Sequence, residues 1–127
     1  MSLKSPLGRV LGLGAAGGSH HWWLQRLSSI ALVPLSAWFV VALLTRADLG
    51  WDSVHAWLAQ PASTVLLLLL VPTALHHSWL GVTVVVEDYV HLPFAKTLTL
   101  LALQMLHVLA GAAAIYAVLK IAFGGAP

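Results

Sequence analysis

The chain is 127 residues long, 60% hydrophobic and only 8% charged, with a mean hydropathy of +0.91 and a net charge of +2. A soluble domain carries roughly 25% charged residues, so this sequence cannot cover a water-facing surface and belongs to an integral membrane protein. It has no cysteine, which excludes disulfides, thiolate zinc sites and iron–sulfur clusters held by this chain; its six scattered Lys and Arg form no basic patch suited to nucleic acid.

The first twenty or so residues are rich in Gly and Ser and read as an N-terminal segment that orders only against a partner. Within it, Gly12-Leu13-Gly14-Ala15-Ala16-Gly17 satisfies G-x-G-x-x-G. A dinucleotide site needs a strand before that motif, a helix after it and an acid about 20 residues on. The first acid here is Asp48 and there is no βαβ unit, so the motif carries no nucleotide-binding reading.

Three apolar stretches follow, 27–44, 64–86 and 97–119, each close to or beyond the ~20 residues that cross a ~30 Å hydrocarbon core. The first begins too late for a cleavable signal and lacks an A-x-A-like site. With flanking residues added, the spans are expected over about 22–45, 64–88 and 96–121, in a single membrane domain covering 1–127 whose first 21 residues or so are cytoplasmic. Pro34 and Pro72 fall inside spans and predict kinks, whereas Pro61 and Pro93 mark helix boundaries. The connection 47–62 holds Trp51, His55 and Trp57 among Asp48 and Asp52, the pattern of a short amphipathic helix with aromatics at headgroup depth. Lys4, Arg9, Arg26 and Lys96 lie on one side of the three spans, and Arg46 and Lys120 on the other. The basic excess places the N-terminus and the 87–96 loop in the cytoplasm.

An ionisable residue within a span is a functional-site hypothesis by default. The stretch 76–90, His-His-Ser-Trp-Leu-Gly-Val-Thr-Val-Val-Val-Glu-Asp-Tyr-Val, sets His77 deep in an apolar run and Asp88-Tyr89 at its end. Eleven residues separate His77 from Asp88, and at 100° per residue that returns almost to the starting azimuth. His77, Gly81, Val84 and Asp88 thus share one stripe about 16 Å long. His77 has two readings: a neutral imidazole hydrogen-bonded to another helix, or an axial ligand of a haem iron, with Gly81 leaving room for a flat macrocycle. His76, about 100° round the helix, competes for the second role. His107, with Gly111 one turn on, is a further candidate whose ordinary fate is an interhelical hydrogen bond.

Glu87 and Asp88 stand at a helix C-terminus, where the macrodipole disfavours negative charge; the placement calls for a compensating cation or a function. A carboxylate that takes up a proton beside a phenol that donates a hydrogen bond suits a quinone being reduced. Tyrosine is also ordinary at headgroup level. Arg26 reads either as an anchor snorkelling to the headgroups or as the partner of a haem propionate, a bidentate geometry that suits arginine.

His77-x-x-x-Gly81 followed by Asp88-Tyr89-Val90 resembles the signature of the small hydrophobic membrane-anchor subunit of succinate dehydrogenase (respiratory complex II). The likeness extends to the three-span layout and to an N-terminal His-x5-Arg, His20 to Arg26. The larger anchor of that enzyme is a poorer match, because Gln25-Arg26-Leu27-Ser28 stands where it typically carries His-Arg-x-Ser. The resemblance implies an all-α membrane protein whose three transmembrane helices form half of a haem-binding bundle, the other half coming from a partner anchor of cytochrome b type. It implies His77 as one axial ligand of a shared haem b, Tyr89 and Asp88 in a ubiquinone-reduction site, and Arg26 and, more weakly, His20 near the haem propionates. The implied partners are the second anchor, an iron–sulfur subunit, a flavoprotein subunit, quinone and membrane lipids, with no nucleic acid. The implied location is the bacterial inner membrane, multi-pass, N-terminus in the cytoplasm. Such a chain is a subunit of succinate:ubiquinone oxidoreductase with no complete active site of its own. Two other readings stay open: a self-contained cytochrome ligated by His77 and His107, and a haem-free scaffold.

Overall fold

The computed structural model describes residues 18–124, with side chains from residue 22 onward. The expectations for the N-terminal segment, for the 12–17 motif and for the His20 side chain lie outside the described part. The described residues form α1 (Gly18–Leu44), α2 (Trp51–Leu58), α3 (Pro61–Tyr89) and α4 (Pro93–Phe123), and contain no strand. The three long helices, of 27, 29 and 31 residues, are about 40–47 Å in length. They outlast a hydrocarbon core, so their ends reach the headgroups, and all three are apolar enough to cross a membrane.

The helix starts follow from proline chemistry. Pro61 and Pro93 occupy the first turns of α3 and α4, where the missing N–H has no intrahelical partner to lose and the fixed φ suits the helix. Both helices therefore begin about one turn before the apolar stretches. Pro34 and Pro72 sit inside helices that continue through them.

α3 is the central element. α1 packs on one flank and α4 on the other, and among the described residues α1 and α4 do not pack on each other. Between apolar helices in lipid there is no hydrophobic driving force, so small residues and interhelical hydrogen bonds carry association. The buried set fits that rule: beside Leu67, Leu80 and Val86 it holds Ser28 of α1 and Ser63 and Thr64 of α3. No described residue of α4 is buried, and large apolar side chains such as Ile30, Val33, Leu106 and Leu109 are exposed on the outside of the helices.

α2 departs from expectation in one respect. Trp51 stays at the surface, but Trp57 turns inward and is buried. Its ring centroid lies 6.1 Å from Trp38 and 6.0 Å from Phe39, with the Arg46 guanidinium 4.4 Å above it. The Arg46 Nε is buried without a hydrogen-bond partner, and the indole face supplies the electrostatic compensation. This plug ties α2 to the end of α1, and the Thr64 hydroxyl at the start of α3 donates to the Leu58 carbonyl of α2 at 3.0 Å. The Arg26 end of α1 consequently lies at the Asp88-Tyr89 end of α3.

Candidate functional site

His77 lies about 24 Å from the start of α3 and about 18 Å from its end, level with Ser28 and Ser29 on α1. Its Nδ1 is 3.0 Å from the Ser28 Oγ and 3.5 Å from the Ser29 Oγ. Both hydroxyls already donate to one backbone carbonyl, that of Gln25, at 2.9 Å from Ser28 and 2.8 Å from Ser29. A serine hydroxyl has one proton to give. With those protons on the carbonyl, the serine oxygens are free to accept toward His77, an arrangement in which the imidazole carries its proton on Nδ1 and a lone pair on Nε2. That nitrogen has no hydrogen-bond partner among the described residues, and a Cβ added at Gly81, one turn on, meets nothing within 4 Å. An imidazole held at one nitrogen and free at the other, beside open space, has the donor chemistry that a haem iron takes.

Arg26 belongs to the same neighbourhood. Its guanidinium lies 4.8 Å from the Trp22 ring centroid, and with Trp22, Gln25, Ser29 and Ile30 it lines a cavity of about 430 Å³. Ser29 connects the two, since it borders that cavity and also stands 3.5 Å from the His77 ring.

His107 is built differently. Its Nδ1 is 2.8 Å from the Leu103 carbonyl oxygen, which only accepts, so Nδ1 donates. Its Nε2 then accepts from the Ser78 hydroxyl, 3.1 Å away on α3. Both nitrogens are engaged, Trp79 stands edge-on at 5.8 Å, and Gly111 is closed off, because a Cβ there meets the Leu75 Cδ1 at 3.0 Å. The interhelical hydrogen bond expected for His107 is present. His76 points to this side as well: it lines a groove of about 350 Å³ with Pro72, Trp79, Gln104 and His107 between α3 and α4.

Asp88 and Tyr89 end α3 with exposed side chains, Tyr89 at 78%, and neither makes a side-chain hydrogen bond or ion pair among the described residues. The structure places them at the His77 helix's end but does not enclose them. The helix terminus has its compensating cation, however: the Lys96 Nζ donates to the Glu87 carbonyl at 3.3 Å, a charged cap on the dipole's negative end. Part of the electrostatic oddity of Glu87-Asp88 is thus answered within the fold. Charge placement alone makes Lys96 a marker of orientation, and the sequence pattern does not single out Gln25, Ser28 and Ser29 as neighbours of His77. The signal available for the serines is a pair of adjacent hydroxyls at the start of an apolar run, just past Arg26.

Comparison with known proteins gives a consistent picture. The profile of the succinate dehydrogenase/fumarate reductase transmembrane subunit family matches residues 1–119. The succinate dehydrogenase hydrophobic membrane anchor subunit of Rickettsia bellii is 35% identical over 104 residues, covering 82% of this chain and 83% of that protein. The anchor subunit of Rickettsia conorii is 40% identical over 77 residues, 60% of this chain and 61% of its own length. That of Paracoccus denitrificans is 26% identical over 90 residues, 70% of each.

Proposed function

Since the chain belongs to the succinate dehydrogenase/fumarate reductase transmembrane subunit family, we propose that this membrane anchor supplies one axial ligand, His77, to a haem b shared with a second anchor subunit, and part of a ubiquinone-reduction site through Asp88 and Tyr89. The observation that carries the proposal is the Ser28–His77 hydrogen bond, which engages Nδ1 and leaves Nε2 without a partner among the described residues, one turn before the open flank of Gly81. A haem bound there supplies one-electron redox chemistry at mid-membrane. The rest of this chain's contribution comes from a few further side chains. Arg26 stands at the border of the cavity nearest the serines, where its fork can pair a propionate carboxylate. His20 belongs with it as a weaker candidate in the first turn of α1.

Tyr89 presents a phenol at the end of the same helix, free to donate a hydrogen bond to a quinone carbonyl oxygen. Asp88 is free to pass protons, two of which a quinone takes up with two electrons on becoming a quinol. The exposure of both side chains supports a site whose remaining walls come from partner subunits. Those partners are the second anchor, an iron–sulfur subunit and a flavoprotein subunit, the latter two docked on the side of the Asp88-Tyr89 end. The excess of Lys and Arg supports a cytoplasmic placement of that side and of the N-terminus, in a bacterial inner membrane.

The test is a split assay on the assembled complex. Tyr89→Phe is expected to lower succinate-to-quinone activity about tenfold, the scale of one lost hydrogen bond in a dry site, while succinate oxidation by an artificial acceptor stays near wild type. Equal losses in the two assays contradict a quinone role for Tyr89.

A further inference from the structure

We propose that Ser28 is a positioning residue for the haem ligand: its hydroxyl oxygen accepts the Nδ1 proton of His77 and so fixes both the tautomer and the electron-donating strength of Nε2. The inference rests on the reading of His77 as a ligand. Three observations carry it. The Ser28 contact is 3.0 Å, whereas Ser29 is at 3.5 Å, the outer limit of a hydrogen bond. Ser28 is one of the few buried polar residues, 6% exposed, so its hydroxyl is shielded from solvent. The Gln25 carbonyl, 2.9 Å away, is placed to take the hydroxyl's own proton.

The result is a directed chain of donors and acceptors, from imidazole N–H to serine oxygen and from serine O–H to the Gln25 carbonyl. Each bond polarises the next. An acceptor at one imidazole nitrogen raises the basicity of the other, and such partners of metal ligands are worth roughly 10–100-fold in metal affinity. A more basic Nε2 favours ferric over ferrous iron, which holds the haem potential down. Serine performs this neutrally, where a carboxylate at the same depth would carry the penalty of a charge in the membrane.

The experiment uses the complete membrane complex and reads the haem itself, by redox titration of the optical spectrum and by electron paramagnetic resonance (EPR) of the low-spin signal. Ser28→Ala is expected to raise the midpoint potential, to shift the low-spin signal, and to lower haem retention. Ser28→Thr, which keeps a hydroxyl able to bond the same carbonyl, is expected to return the potential toward wild type. Ser29→Ala is expected to leave it nearly unchanged. Should Ser28→Ala block assembly, Ser28→Cys carries the same readout, since it keeps the volume and substitutes a weak acceptor. A Ser28→Ala or Ser28→Cys complex with wild-type potential and signal overturns the proposal, as does a Ser29→Ala shift equal to or larger than theirs. Failure of the underlying reading is separate: there, His77→Ala leaves the haem spectrum as it was, whatever the serines do.

Discussion

His77 and His107 both sit near the middle of a membrane-spanning helix, each with a glycine four residues on, and nothing in that local pattern separates them. Their surroundings do. His77 bonds through Nδ1 to hydroxyls of α1 and keeps Nε2 without a partner among the described residues, one turn before an open Gly81, while His107 bonds through both nitrogens and its Gly111 is filled by Leu75. The same two residue types thus make a ligand-competent site on one flank of α3 and a helix–helix clasp on the other. What decides is the number of nitrogens the neighbours consume. A self-contained cytochrome ligated by His77 and His107 needs a lone pair that His107 has already given to Ser78.

The glycines offer the largest contrast. Gly81→Leu is expected to abolish haem incorporation while the described helices keep their packing, since the space beside it is empty of this chain's atoms. Gly111→Leu is expected to do the reverse, weakening the α3–α4 contact by about 1–3 kcal/mol through overpacking against Leu75, with the haem spectrum retained. Thermal unfolding in detergent and the haem-to-protein ratio measure the two effects; a pair of variants with the same phenotype removes the distinction between the flanks. Next in size is Ser78→Ala, expected to cost about 0.6 kcal/mol, the usual worth of an interhelical hydrogen bond in a membrane protein, without change in the haem potential. The smallest effect belongs to Lys96→Ala. Loss of a cation from the exposed α3 C-terminus is expected to cost about 0.3 kcal/mol, the low end of the range for such a charge, seen as faster amide exchange over 86–90 and a slightly lower melting temperature; no change in either discards Lys96 as the cap.

The span count, the helix type and the short connecting helix are legible in the sequence because hydropathy and proline placement are local properties. The central position of α3 is not, since no helix announces which neighbours it will bury. Trp57 shows the limit: as one aromatic of an amphipathic helix it reads as a headgroup anchor, and only the partners Trp38, Phe39 and Arg46 reveal a buried plug. His77 stands out as an imidazole in an apolar run, and its spacing to Asp88 sets it apart from His76. Its hydrogen-bond partner Ser28 is 49 residues away, and no short-range pattern encodes that. Glu87-Asp88 carries a true electrostatic signal, but one that Lys96 shares in answering.

The ligand-competent histidine is the one with a free nitrogen, and the most direct measurement of that claim is the reduced-minus-oxidised optical spectrum, with EPR, of the assembled complex carrying either His77→Ala or His107→Ala. The low-spin b-type signal is expected to be lost or strongly shifted with His77→Ala and retained with His107→Ala. An unchanged spectrum with His77→Ala, or its loss with His107→Ala in a complex that still assembles, contradicts it.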